Sequence, residues 1–577
     1  MSEASRSTDP PEPAGRSKRG VSRLPLIALL VFAAGILIVF RSETQSGDSL
    51  EYARSIRDGT NLFHPHHLLF NPIVRGVWMG LRFFHPAASP FDAAQVHNIF
   101  WALVALAAVF VIVRRMTASP GLAVLFTLAL FACVGFWQYA TFVEVYLPAM
   151  GCLALVLAIL HPLRKTPPSF GGRVLLVGLF CLAVLYDQIG VLFTVPFAFL
   201  LARRLGPKSG KAAGAMIAAS GAIVLACYGA AFLTTTAPKT VSGFIHWCLS
   251  YAFYPDPRWG SWSNISIMGG AKILLSFARN VLIVPPALFL PGAVSAGLIL
   301  AVLVLGSLRA IIRRAPEADF RVALLLWLGL TVAFIWWFTP YGFELYIPLF
   351  PLLFLLGARL VADRRAAGWG RPPARRFLFG ASAAAVAGLG ALNLITAVLP
   401  AHADRGAEYA RAVRMNASAP AGSILIADFE LRENLLYYFP GPKAIEDGPL
   451  LYSFYRHWTL GPDRAVEPGR PVLATVSFLS PASLSAKPFN ADDFPKEWRS
   501  FMEWMLDCEI RDGKVIAARL PSGIAGLPGY LLLSGERGPV AGLADLFSRL
   551  DEKAAQTDPS WADLFSAWLG RHPDLVR

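Results

Sequence analysis

Residues 46–70, SGDSLEYARSIRDGTNLFHPHHLLF, are the most informative stretch of the chain for chemistry. Asp48 and Glu51 lie three apart at the expected start of a helix, so both carboxylates share one face. Arg54 continues that face and Arg57 lies near it. A carboxylate so placed can take a proton from an attacking hydroxyl, and cations beside it can hold a departing phosphate. The plainer reading is a helix cap, with Asp48 as N-cap and Glu51 at the third helical position; it can coexist with catalysis. His64, His66 and His67 follow, and could bind a metal or the phosphate of a lipid headgroup. Against that, Pro65 restricts how the rings converge, and interfacial histidines bonded to water and backbone explain them as simply.

Other candidates are scattered. Glu144, in FWQYATFVEVYLPAM, stands among aromatic residues where the chain re-enters an apolar run. A carboxylate so close to hydrocarbon is costly unless paired, and marks either a functional site or a structural ion pair. Asp187 in YDQIG and Glu344 in TPYGFELYIP occupy two short turns and could cap helices. His246, Trp247 and the segment YPDPRWGSW complete the set. Arg258 there could hold a phosphate and Asp256 could be a turn residue before Pro257, and for both the structural reading is the plainer.

The elements that must position these groups are membrane spans. Hydrophobic residues make up 55% of the 577 residues and charged residues only 16%, against about 25% charged in soluble domains. A span needs about 20 apolar residues to cross about 30 Å of hydrocarbon. The apolar runs predict about eleven spans, near 24–40, 97–113, 119–134, 146–161, 172–186, 188–202, 213–234, 281–308, 320–338, 345–361 and 377–399. Between 267 and 308, Arg279, Asn280 and a Pro-Pro pair break the pattern, which reads as an interfacial helix followed by one span.

Lysine and arginine set the orientation. With the N-terminus inside, the cytoplasmic segments contain Arg114–Arg115, Arg164–Lys165, Arg203–Lys211, Arg309–Arg321 and Arg364–Arg376. The short outer loops around 135–145, 187 and 339–344 contain no Lys or Arg. The expected organisation is therefore a disordered cytoplasmic tail over 1–23, a membrane domain over 24–400 with outer loops 41–96 and 235–280, and an extracytoplasmic soluble domain over 401–577. That last part alternates β-like runs (SILIAD, VLATVSFL, GYLLLS) with helical stretches (AEYARAVR, LADLFSRLDEKA, WADLFSAWLG), an α/β pattern.

Several classes are excluded or disfavoured. The net charge of +14 falls in short segments between apolar runs, as in cytoplasmic loops, and argues against nucleic acid. Six cysteines include no C-x-x-C pair and give no metal framework. A transporter or flippase of a lipid or polymer would more naturally place ionisable groups near mid-membrane within an internal repeat, and neither is present. A non-catalytic relative in an envelope assembly is a third reading.

The chain resembles the GT-C superfamily of membrane glycosyltransferases, in the bacterial branch related to protein O-mannosyltransferases and the aminoarabinose transferase. GDSLEYA with HPHHLLF, then WQYATFVEVYLPA, then the order of a large first loop, about a dozen spans and an outer soluble domain carry the likeness. The resemblance implies a multi-pass protein of the plasma (bacterial inner) membrane that moves a sugar from a polyprenyl-phosphate donor to an extracytoplasmic acceptor. Asp48 matches the first-loop acidic residue taken as general base, with Glu51 beside it. Glu144 matches the second-loop acidic position, which in relatives binds the donor phosphate through a divalent metal or orients the acceptor. An adjacent Asp-Glu pair is usual in protein O-mannosyltransferases; the separation of Asp48 and Glu51 puts a protein acceptor in doubt. Arg54, Arg57, His64, His66, His67, Arg258 and Glu344 are the remaining donor-binding candidates.

Overall fold

The computed structural model describes residues 23–440, apart from short segments (162–167, 206–208, 236, 250–259, 283–288, 314, 316, 341, 368–371, 419–423, 428 and 440), and five strands beyond them. Arg258 and the helical stretches expected over 543–554 and 561–570 lie outside the described residues.

The chain is mostly helical. Helix α1 (Leu24–Val39) leads to two short helices, α2 (Gly47–Asp58) and α3 (Phe70–Phe84). Helices α4 (Pro90–Thr117), α5 (Pro120–Ala132), α6 (Val134–Thr141), α7 (Tyr146–Leu160), α8 (Phe170–Tyr186), α9 (Thr194–Arg204) and α10 (Ser209–Leu233) follow. The second half adds α11 (Val241–Cys248), α12 (Ile267–Val281), α13 (Phe289–Ile312), α14 (Ala318–Phe338), α15 (Phe350–Ala366) and α16 (Pro372–Asn393). A π-helical turn, Leu394–Val398, joins α16 to α17 (Leu399–Ala403), and α18 (Ala407–Ser418) and α19 (Phe429–Tyr438) come after it.

Every predicted span overlaps a helix. Among the described residues, six helices are long and apolar enough to cross a membrane, or seven if α5 and α6, bent by 67°, count as one span. Three more, α1, α7 and α8, are apolar but shorter. A shorter apolar helix can still span by local thinning of the bilayer. The chain is a multi-pass membrane protein. α4 forms its centre, packed against α7, α5, α15 and α1, with Ala102, Ala105, Leu106 and Val109 fully buried.

The two ends of the bundle separate cleanly. At one end, Arg203 pairs with Asp319 (3.0 Å), Arg359 with Glu317 (3.2 Å), and His161 with the same Glu317 (3.2 Å), while Arg321 bonds Asp363. These contacts tie the C-terminal ends of α7, α9 and α15 to the N-terminal end of α14, loops expected to share a side. At the other end, the backbone N–H groups of Glu43 and Thr44 donate to the Ala401 carbonyl (2.8 and 3.0 Å), which fixes α17 beside the exit from α1.

The expected cap of α2 is displaced. Its N-cap is Ser46, whose hydroxyl accepts from the Ser49 N–H at 3.1 Å, so Asp48 is the second helical residue and not the cap. A serine in extended backbone offers its hydroxyl to this donor at less conformational cost than a residue already inside the helix.

Strands β1 (Ile424–Ala427), β2 (Lys443–Glu446), β3 (Pro471–Thr475), β4 (Glu509–Arg511), β5 (Lys514–Ile516) and β6 (Tyr530–Ser534) form one sheet, in the order β2-β1-β3-β6-β5-β4. β2, β1, β3 and β6 run parallel, and β5 and β4 close the far edge antiparallel. Each of the three β-like runs read from the sequence overlaps a strand, β1, β3 and β6 in turn.

Candidate active site

Three carboxylates meet at the α2 end of the bundle. Asp48 is exposed, on the first turn of α2. Glu144, on the turn between α6 and α7, is 5% exposed. The Ser46 hydroxyl donates to Glu144 Oε1 at 2.7 Å, and the Ser49 hydroxyl reaches the same oxygen at 3.4 Å. The cap that starts the Asp48 helix therefore also holds Glu144. Glu344, in the 3₁₀ turn Phe343–Leu349, is half-buried and within electrostatic reach of both Asp48 and Glu144. Tyr139 and Tyr146, whose rings pack edge to face at 5.4 Å, line the same place.

Burial, and next the like charge of Asp48, push the Glu144 carboxyl well above the usual carboxylate range, against the opposing bonds from Ser46 and Ser49. Glu144 is thus suited to hold and orient a polar group, while exposed Asp48 is the better placed to receive a proton.

α4 supplies the supports. Asn98 Nδ2 donates to the carbonyls of Phe142 (2.8 Å) and Glu144 (2.6 Å). Gln95 Nε2, one turn earlier, donates to those of Ser42 and Thr141, both at 2.8 Å. Gln45 Oε1 accepts from the Val143 N–H at 3.2 Å. Ser46, Ser49, Gln95 and Asn98 were not among the residues selected from the sequence. The signal for the last two was present: polar residues three apart inside an otherwise apolar helix need buried partners.

The remaining candidates divide. Glu51 lies within electrostatic reach of Glu433 on α19. Arg54 forms a two-pronged bond with Glu433, from Nε at 3.2 Å and Nη2 at 2.9 Å to Oε2. Arg57 pairs with Asp58 (2.8 Å) and donates Nη1 to the Tyr437 carbonyl at 3.1 Å. These bonds put α19 on the same face as α2.

The histidines form a neighbouring cluster. His64 stacks on His67 with ring centroids 5.3 Å apart. His66 Nδ1 bonds Gln188 Oε1 at 2.9 Å, and Gln188 Nε2 donates to the Pro65 carbonyl at 2.9 Å. Tyr228 donates to that carbonyl as well, at 2.7 Å. Burial pulls His64 down to about 4 and His66 to about 3, so both are neutral near pH 7. A neutral imidazole carries one N–H and no positive charge, and that of His66 is already given to Gln188 Oε1. Asp187 begins the adjoining 3₁₀ turn, where its Oδ1 accepts from the Ile189 N–H at 3.1 Å. The cap expected there is present, and burial raises its carboxyl to about 7.

Among the described residues, no three His, Cys, Asp or Glu side chains converge closely enough to hold a metal ion. A divalent metal of the kind the resemblance implies would find no three such ligands among them. An apolar cavity of about 530 Å³ opens between α1, α5 and α16, lined by Phe32, Ile36, Leu128, Phe131, Phe379 and Leu394 and bounded by Trp137 of α6.

No protein-family model matches the chain, and no curated protein sequence matches it. Solved structures do. ArnT from Cupriavidus metallidurans in the apo state has a TM-score of 0.51 at 12% identity, covering 76% of this chain and 91% of that one. The same ArnT bound to undecaprenyl phosphate has a TM-score of 0.47 at 14% identity, with the same coverage. The Archaeoglobus fulgidus oligosaccharyltransferase, tethered with an acceptor peptide, has 0.41 at 12% identity, covering 71% of this chain and 63% of that one. At such identities a likeness speaks for fold, and the apo ArnT match carries it. The resemblance read from the sequence stands as one of fold: the chain has the fold of ArnT.

Proposed function

We propose that this protein is a GT-C-type glycosyltransferase that moves a sugar from a polyprenyl-phosphate donor to an acceptor on the extracytoplasmic side of the membrane. The observation that carries the reading is the joining of exposed Asp48 and buried Glu144 through one helix cap, Ser46, at an end of an ArnT-like bundle. In this reading Asp48 accepts the proton of the acceptor hydroxyl as its oxygen attacks the anomeric carbon. The bond from that carbon to the phosphate oxygen breaks, its electron pair leaves with the polyprenyl phosphate, and the single displacement inverts the anomeric centre. Glu144, held by Ser46 and Asn98, orients the sugar or the acceptor from below.

Arg57, the neutral histidine cluster, Glu344 and Arg258 remain the donor-binding candidates, Glu51 stays the second catalytic carboxylate beside Asp48, and Arg54 serves the site through its pairing with Glu433 on α19. The lipid chain belongs in the apolar cavity beside α1, α5 and α16. All eleven predicted spans are membrane-crossing in this reading. They place the N-terminus in the cytoplasm and residues 401–577, as an α/β domain, outside it. The boundaries at 24 and 400 are part of the same proposal.

The direct experiment uses purified protein in liposomes carrying the polyprenyl-phosphate-sugar pool extracted from the source cells. Consumption of donor with transfer of sugar is the expected result. Movement of the lipid across the bilayer with no donor consumed would instead make the protein a transporter.

A further inference from the structure

Glu433 is 0% exposed in its side chain, yet it lies on α19, far along the chain from the first outer loop. A carboxylate removed from water needs compensating charge and hydrogen bonds. Arg54 of α2 supplies most of them, reaching Oε2 from Nε (3.2 Å) and Nη2 (2.9 Å) and Oε1 from Nη2 (3.1 Å). Arg432, on the same helix, pairs with Oε1 at 3.0 Å. One turn further along α2, Arg57 sits 5.0 Å over the Tyr437 ring, which packs 4.6 Å from Phe91 at the start of α4.

α2 is a short helix that cannot hold itself in place. Its N-terminal end is tied to Glu144 through Ser46 and Ser49. Its C-terminal end turns at Gly59, with φ of +73°, where an added Cβ would come within 2.8 Å of the Arg75 guanidinium. Between those ties the Arg54–Glu433 contact sets the tilt and rotation of the helix. Asp48 lies six residues from Arg54, about 9 Å along the axis, so a small rotation at Arg54 displaces the Asp48 carboxyl.

Resting on the transferase reading, we propose that Glu433 is a positioning residue for the transfer reaction. It holds α2 so that Asp48 faces the Glu144 turn, and α19 thereby completes the site. Displacement of a reacting group by about 1 Å can cost about 100-fold in rate.

The test uses the full-length protein in nanodiscs, with the polyprenyl-phosphate-sugar pool extracted from source cells as donor. Glu433→Gln keeps the size of the side chain and removes its charge. Its kcat is expected to fall about 10- to 100-fold while the donor KM changes less than about threefold. Hydrogen exchange across residues 50–58 is expected to quicken about tenfold or more, with α4 and α7 unchanged. Arg54→Gln is expected to give the same loss, and the double variant no more than either single one. Should Glu433→Gln fail to fold, Arg54→Lys, which keeps the charge and loses the two-pronged geometry, is expected to show the same kcat-selective loss. An unchanged kcat per folded molecule, unchanged exchange in α2, or additive losses would each overturn the proposal while leaving the transferase reading intact. Absence of any transfer by the wild-type protein would overturn both.

Discussion

The Ser46 hydroxyl lies 2.7 Å from Glu144 Oε1, joining two turns separated by 98 residues of chain. The same hydroxyl accepts the N–H of Ser49 and so begins the helix that carries Asp48. A single side chain thus fixes the relation between the two acidic residues of the proposed site.

Ser46→Ala removes both functions of that hydroxyl. Loss of the cap alone is expected to cost about 1 kcal/mol of stability. The measurable consequence is a lower thermal midpoint together with reduced sugar transfer, whereas Ser46→Thr, which keeps a capping hydroxyl, is expected to restore most of both.

Asn98 holds two carbonyls of the Glu144 turn, at 2.8 and 2.6 Å. Asn98→Leu leaves them buried without a donor, at about 1–3 kcal/mol for each. Thermal unfolding should show a large loss for this variant. A variant as stable as wild type would mean that Asn98 does not brace the turn.

Glu144 has its folded-state pKa raised above the ordinary 4.5 by burial and by Asp48. A raised carboxyl contributes stability that is fully present below pH 4.5 and is lost as pH rises through the folded value. Glu144→Gln removes this dependence. Its thermal midpoint is expected to match wild type near pH 4 and to exceed it at pH 8.

His64 and His66 behave in the opposite sense. Their folded values, about 4 and about 3, lie below the ordinary 6.5. Their contribution is present above pH 6.5 and is lost as pH falls toward those values. Wild-type protein is expected to lose thermal stability over that window more steeply than the double variant His64→Asn with His66→Asn.

Much of this architecture was legible from local chemistry. Apolar runs placed the helices, because each must bury or immerse a continuous hydrophobic surface. The basic loops expected on one side do meet, as Arg203 with Asp319 and Arg359 with Glu317. Asp48, Glu144 and Glu344 were selected separately and lie together. The cap of α2 was misplaced by two residues because Ser46 and Asp48 are both good capping residues, and only the backbone conformation chooses between them. Gln95, Asn98 and Glu433 escaped selection for a different reason. Each acts through a partner distant in the chain: the polar pair Gln95 and Asn98 signals a buried partner without naming it, and nothing local to Glu433 points to Arg54. Arg54, a donor-phosphate candidate by its place on α2, is paired with Glu433, 379 residues away, a contact that no local pattern shows.

The most direct test of the whole account is the rate of sugar transfer by Asp48→Asn in liposomes carrying the extracted polyprenyl-phosphate-sugar pool. A side chain of the same size that cannot take the acceptor's proton should slow transfer about 10²- to 10⁴-fold while thermal unfolding stays that of wild type. Transfer at the full wild-type rate by a normally folded Asp48→Asn protein would contradict it.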